Sequence, residues 1–235
     1  MLPAIIAAFV TLSYFIESVF GFGGSILSVA LVGSVVDIKQ AILIVTYASI
    51  CASACILISD FKSFSLRHLL RIYAFALPGL FVGTFLMMAL NSVVLLKIFA
   101  VLLIAYVVYS FMNPTLKLPY FLSRFLLFCG GLIQGIYATG GPFVLMAYGQ
   151  EMEDKSTLRA VMAGFFLFGN IIRIIQMQVM GKLDTAVFVN FWWLVIPIAA
   201  GVFGGFFVHL KISDKLFKNG ILVLLLLAGV FYLVK

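Results

Sequence analysis

The sequence predicts an all-α, polytopic membrane protein: a helical bundle of two inverted repeats, each a glycine-broken helical hairpin plus three transmembrane helices. Three observations predict it. First, 65% of the 235 residues are hydrophobic and only 10% are charged, where a soluble domain carries about 25% charged residues. Second, continuous apolar runs recur along the whole chain, and ~20 such residues in a helix cross the hydrocarbon core. The runs do not alternate, so helices rather than a closed barrel pair the backbone in lipid. Third, an unusual polar and glycine-rich stretch recurs at an offset of 117 residues.

Composition also excludes several classes. The net charge of +7 does not point to nucleic acid, because the basic residues sit in short loops, where membrane orientation explains them. Met1 to Val10 carries no basic residue ahead of its apolar stretch, unlike a cleaved signal peptide. Cys51 and Cys55 share a helix face, but neither has a His or carboxylate nearby in sequence. Small packing residues explain them and Cys129 better than a metal, and no cofactor is expected.

The repeat orders the rest. Glu17-Ser18-Val19-Phe20-Gly21-Phe22-Gly23-Gly24-Ser25 aligns with Gln134-Gly135-Ile136-Tyr137-Ala138-Thr139-Gly140-Gly141-Pro142. Asp37 falls on Asp154, and Pro78 matches Pro197 with a slip of two residues. Residues 1–115 form the first repeat, with an interrupted segment at about 2–36 and helices at about 40–58, 68–90 and 93–111. Residues 116–235 form the second, with an interrupted segment at about 121–150 and helices at about 156–178, 185–208 and 214–234.

The first interrupted segment holds pieces of 15 residues (Leu2 to Ile16) and 12 residues (Ser25 to Val36). These reach roughly 23 and 18 Å as helices, short of the ~30 Å core. Such pieces stack into one broken crossing or fold back as a hairpin. One crossing each would split the loop charges seven against seven. Hairpins put Lys62, Arg67, Arg71, Lys117, Arg124, Lys155, Arg159, Lys211, Lys215 and Lys218 on one side. Lys39, Lys97, Lys182 and Lys235 then oppose them, ten against four. The positive-inside rule favours that arrangement, with both termini outside and the repeats inverted.

The breaks carry the chemistry. Gly23, Gly24 and Ser25 in the first, and Thr139, Gly140 and Gly141 in the second, free N–H groups at the start of a following half-helix. Pro142 suits the first turn there. Half-helix N-termini attract anions, and irregular backbone at membrane depth survives only against protein or a wet cavity. Two such ends meeting near the midplane would bind a small anion, although glycines also serve close helix packing.

These motifs resemble the sulfite exporter TauE/SafE family of membrane permeases. Gly21-Phe22-Gly23-Gly24-Ser25 carries the likeness, and Gly131-Leu132-Ile133-Gln134-Gly135-Ile136-Tyr137-Ala138-Thr139-Gly140-Gly141-Pro142-Phe143 carries it more strongly. The resemblance implies transport of small organic or sulfur-containing anions such as sulfite, thiosulfate or sulfonates. Members commonly have a third glycine and a following proline in the first motif. Ser25 and Val29-Ala30 stand there instead, which implies a differently shaped first site.

Ionisable groups inside apolar segments are functional candidates by default. Glu17, just before the first break, could carry a proton during transport or hydrogen-bond freed backbone. Its counterpart Gln134 cannot titrate. Asn170, Arg173 and Gln176 share a helix face at i, i+3 spacing. The Arg173 fork suits sulfonate or carboxylate oxygens, or a salt bridge to Glu17, or snorkelling to the interface. Ser49, Ser53 and Tyr47 are weaker candidates for lining a path, and His68, His209, Trp192 and Trp193 suit the interface. Pro78 and Pro197 suit pivots.

The expected function is a secondary anion transporter in a bacterial cytoplasmic membrane, working by alternating access and coupled to protons or driven by the substrate gradient alone. An anion or ion channel is the alternative, although no repeated filter motif is present. An enzyme is not expected, since neither Gly-x-Ser-x-Gly nor His-Glu-x-x-His occurs. The partners are a small anion, the bilayer and a coupling proton. Oligomeric state stays open.

Overall fold

Helices begin and end where the sequence supplies the chemistry. A computed structural model describes residues 2–20, 23–112, 119–152, 155–208 and 226–234. Among these residues there is no strand. The helices are α1 (Leu2–Phe20), α2 (Gly24–Val35), α3 (Ile38–Ser59), α4 (Leu66–Ala89), α5 (Ser92–Met112) and α6 (Tyr120–Tyr137). They continue as α7 (Gly141–Tyr148), α8 (Lys155–Val179), α9 (Thr185–Phe191), α10 (Val195–Val208) and α11 (226–234). Asp37 caps α3 by accepting from the Lys39 N–H at 2.9 Å, and Asp184 caps α9 by accepting from Ala186 N–H at 3.0 Å. Proline opens the first turn of α7, where its missing N–H costs nothing.

Among the described residues, six helices are long and apolar enough to span a membrane: α1, α3, α4, α6, α8, and α9 running into α10 through a 3₁₀ turn at Trp192–Leu194. Their outward faces carry large apolar side chains such as Phe85, Val189 and Phe207, each more than half exposed. A water-soluble monomer does not display such surface. The chain is an integral membrane protein.

Three expectations change. The first arm does not stop at Ile16, because nothing in Glu17-Ser18-Val19-Phe20 breaks a helix. α1 has 19 residues, or ~28 Å, close to a full crossing. Of the helices flanking the two breaks, α2, with 12 residues, and α7, with eight, are the short ones. Second, Arg159 is not a loop charge: it is 5% exposed and ion-paired with Asp60. Third, Arg173 neither snorkels nor meets Glu17, as described below. Gly21, Phe22, His209, Lys211, Lys215, Lys218 and most of the expected helix at 214–234 lie outside the described residues.

The second interrupted segment folds back. Ser123 near the start of α6 donates to the Ala147 carbonyl near the end of α7 at 2.6 Å. Val144 and Phe143 lie against Gly130. In the first segment Gly24, at the start of α2, presses on Ser13 and Glu17 of α1.

Helix pairing crosses the chain midpoint. α4 packs on α6, α1 on α10 and α3 on α8. Glycine sets the two tight contacts. A Cβ on Gly79 or Gly83 of α4 would collide with the Phe128 or Leu132 carbonyl of α6. One on Gly131 or Gly135 would collide with Ala76 or Leu80 of α4. Gly201 and Gly205 of α10 sit likewise on the Thr11 and Phe15 carbonyls of α1. Backbones this close gain dispersion and weak Cα–H···O contacts, which drive helix association where lipid removes the hydrophobic effect.

Candidate functional site

The two breaks use matching side chains in matching ways. At the first, Glu17 Oε2 accepts from the Ser25 N–H at 2.9 Å and from Ser25 Oγ at 3.1 Å. At the second, Gln134 Oε1 accepts from the Gly140 N–H at 2.9 Å. Each side chain sits in the last turn of the incoming helix and holds the start of the next. A freed N–H at each break is therefore satisfied internally, not left wholly for a ligand. Glu17 is buried, and its Oε1 has no hydrogen-bond partner.

Behind the second break lies a polar network. Gln134 Nε2 donates to Asn170 Oδ1 at 3.1 Å, while Asn170 Nδ2 is left without a partner. Arg173, one turn further along α8, has no exposed surface. Its Nη1 donates to Thr46 Oγ1 at 2.5 Å and its Nη2 to the Ile136 carbonyl at 3.4 Å, and Nε has no partner. No carboxylate among the described residues pairs with this guanidinium. Its compensation is a hydroxyl and the carbonyl end of α6, where the helix dipole is negative. A buried cation without its counter-ion is costly by several kcal/mol. Gln176 does not join the group: it donates to the Phe81 carbonyl of α4 at 2.9 Å.

The backbone at the second break is itself unusual. α6 ends in Ala138 with φ of 60°, a left-handed conformation rare outside glycine and Asn. Gly23, opening α2, has φ of 93°.

A cavity of about 210 Å³ lies between the breaks. Ile26 of α2 lines it from the first, and Thr139, Pro142 and Phe143 line it from the second. α5 closes it with Phe99, Leu102, Leu103, Ala105 and Tyr106, helped by Ile133 and Met146. Of the expected binding residues only Thr139 is on this wall. Gly23, Gly24, Ser25, Gly140 and Gly141 shape the turns beside it, and Gln134, Asn170 and Arg173 lie in the network behind. The wall is mostly apolar, with Thr139 and Tyr106 as its hydroxyl-bearing residues.

Both breaks, the cavity and both polar clusters fall inside residues 5–232, the stretch matched by the family model described as sulfite exporter TauE/SafE. The chain belongs to the sulfite exporter TauE/SafE family. TauE/SafE proteins are membrane transporters, and the multispanning helical fold of this member fits that class. No curated protein and no solved structure matches the chain.

Sequence reasoning missed two features of this TauE/SafE chain. Thr46 in α3 holds Arg173, yet one Thr in an apolar helix gives no signal of its role. Arg159 and Asp60 meet in a buried ion pair, although both sit at helix ends, where the pattern reads as loop.

Proposed function

We propose that this protein is a secondary transporter that moves a small organic or sulfur-containing oxyanion, sulfite or a thiosulfate- or sulfonate-like relative, by alternating access. The observation that carries the reading is Arg173: a buried guanidinium without a carboxylate partner among the described residues, beside a helix break that also borders a cavity. An oxyanion is the natural complement to a planar guanidinium fork. Thr139, Asn170 and Arg173 are the residues assigned to it, with Gln134 and the glycines Gly23, Gly24, Gly140 and Gly141 shaping the turns. Ser25 serves the first turn together with Glu17, which is assigned the coupling proton.

Alternating access needs two elements able to rock against each other. The exchanged pairings, α1 with α10 and α4 with α6, around a central α3–α8 pair, support two inverted repeats spanning 1–115 and 116–235. With Arg159 removed from the loops the charge bias is nine against four. It still supports both termini outside, in a bacterial cytoplasmic membrane.

The test is flux. Purified protein in proteoliposomes should take up radiolabelled sulfite saturably, with acceleration by unlabelled anion on the far side. Arg173→Gln should abolish it. Unsaturable anion current would replace the transporter reading with a channel, and no anion flux at all would remove both.

A further inference from the structure

We propose that Arg159 is a second anion-contacting residue, and that Asp60 is an internal stand-in which the transported anion displaces. This inference rests on the anion-transport reading above.

The geometry is that of a temporary partnership. Arg159 is the fifth residue of α8 and is 5% exposed. Its Nε faces Asp60 Oδ2 at 3.1 Å, yet neither atom has a hydrogen-bond partner. A structural Arg–carboxylate pair in a dry site ordinarily gains from two aligned bonds. Here the attraction is charge alone. Arg159 Nη2 also donates to Ser18 Oγ at 3.4 Å, and its guanidinium lies 5.5 Å from the Phe206 ring centre. Ser18 is two residues before the end of α1, so this cation stands beside the first break as Arg173 stands beside the second.

The α3 dipole disfavours Asp60 where it sits. Asp60 is the C-cap of α3, at its negative end, while Arg159 is the fifth residue of α8, past its first turn. Each charge is tolerated there because of the other. A free oxyanion in place of Asp60 would keep the attraction of Arg159 and release Asp60, whose side chain is already 14% exposed, towards water. Ser18, whose hydroxyl donates to the Val202 carbonyl at 2.6 Å, ties the same point to α1 and α10. Displacing Asp60 would therefore loosen a junction of four helices.

Sulfite uptake into proteoliposomes tests this. Asp60→Asn removes the competitor, so the KM for sulfite should fall at least about threefold while the maximal rate drops. Arg159→Lys keeps a charge for Asp60 but loses the fork, and its KM should rise by a similar factor. The exchange Asp60→Arg with Arg159→Asp restores the pair but moves the cation to α3, and it should give a folded, monodisperse protein without transport. An exchange variant with the original KM and rate would make the pair a strut and overturn the proposal. So would an unchanged KM in Arg159→Lys, the variant least able to disturb folding. Wild-type protein that carries no sulfite would overturn the transport reading first, and this one with it.

Discussion

Glu17 and Gln134, 117 residues apart, do the same structural work: each accepts one backbone N–H where the chain enters the helix after its break, from Ser25 and from Gly140, at 2.9 Å. The two differ by one ionisable group. The second half shows that a neutral amide suffices to close such a turn. A carboxylate in the first half is therefore more than the fold requires.

Glu17→Gln should insert, fold and melt like the wild type, because the amide oxygen can accept from Ser25 as Gln134 accepts from Gly140. Its uptake should become independent of pH where that of the wild type is not. Uptake at several pH values in proteoliposomes measures this, and an unaltered profile would leave Glu17 a purely structural cap.

Arg173→Lys keeps a positive charge but cannot reach Thr46 and the Ile136 carbonyl with two separate nitrogens. Transport should fall at least ~10-fold, mainly through substrate affinity, because the planar fork is what distinguishes the two cations. Equilibrium binding of sulfite followed by thermal shift checks it. Wild-type affinity in this variant would take the guanidinium out of the binding site.

Thr139→Val removes the hydroxyl from the cavity wall without changing the side-chain shape. Binding should weaken by about 1 kcal/mol, the size of one hydrogen bond. Ala105→Phe, placed on the opposite wall, should instead exclude the substrate and leave thermal stability intact. If both variants carry sulfite normally, the cavity is not on the path.

Gly131→Ala forces a methyl group into the Ala76 carbonyl across the α4–α6 contact. Overpacking of this kind costs ~1–3 kcal/mol, and more where the obstacle is backbone. The melting temperature in detergent should fall well below that of the wild type. Gly149→Ala, a position with ordinary contact distances only, is the matched control. Equal melting of the two would mean that α4 and α6 are not pressed together.

Much of this was legible without coordinates. The repeat offset located both breaks, since Gly-Gly in an otherwise apolar run is a local signal. Hydropathy located the long helices for the same reason. Glu17, Asn170 and Arg173 stood out because polar groups in lipid-length segments are costly. The extent of α1 was misread: a glycine cluster marks where a helix can stop, but the chain goes on as helix until a residue compels otherwise. Arg159 was misread because a charge at a helix end gives the same pattern whether it points to water or inward.

Composition, periodicity and one internal offset thus determined the solvent, the helices and the places where they break, because each is a property of neighbours along the chain. Tertiary structure alone decided that Arg173 rests on Thr46 and the α6 carbonyls instead of Glu17, and that Arg159 meets Asp60. It also decided that Ile26 and Thr139 face one cavity. Such relations join residues dozens to more than a hundred positions apart. They depend on which helix faces lie together, and no single apolar segment records that.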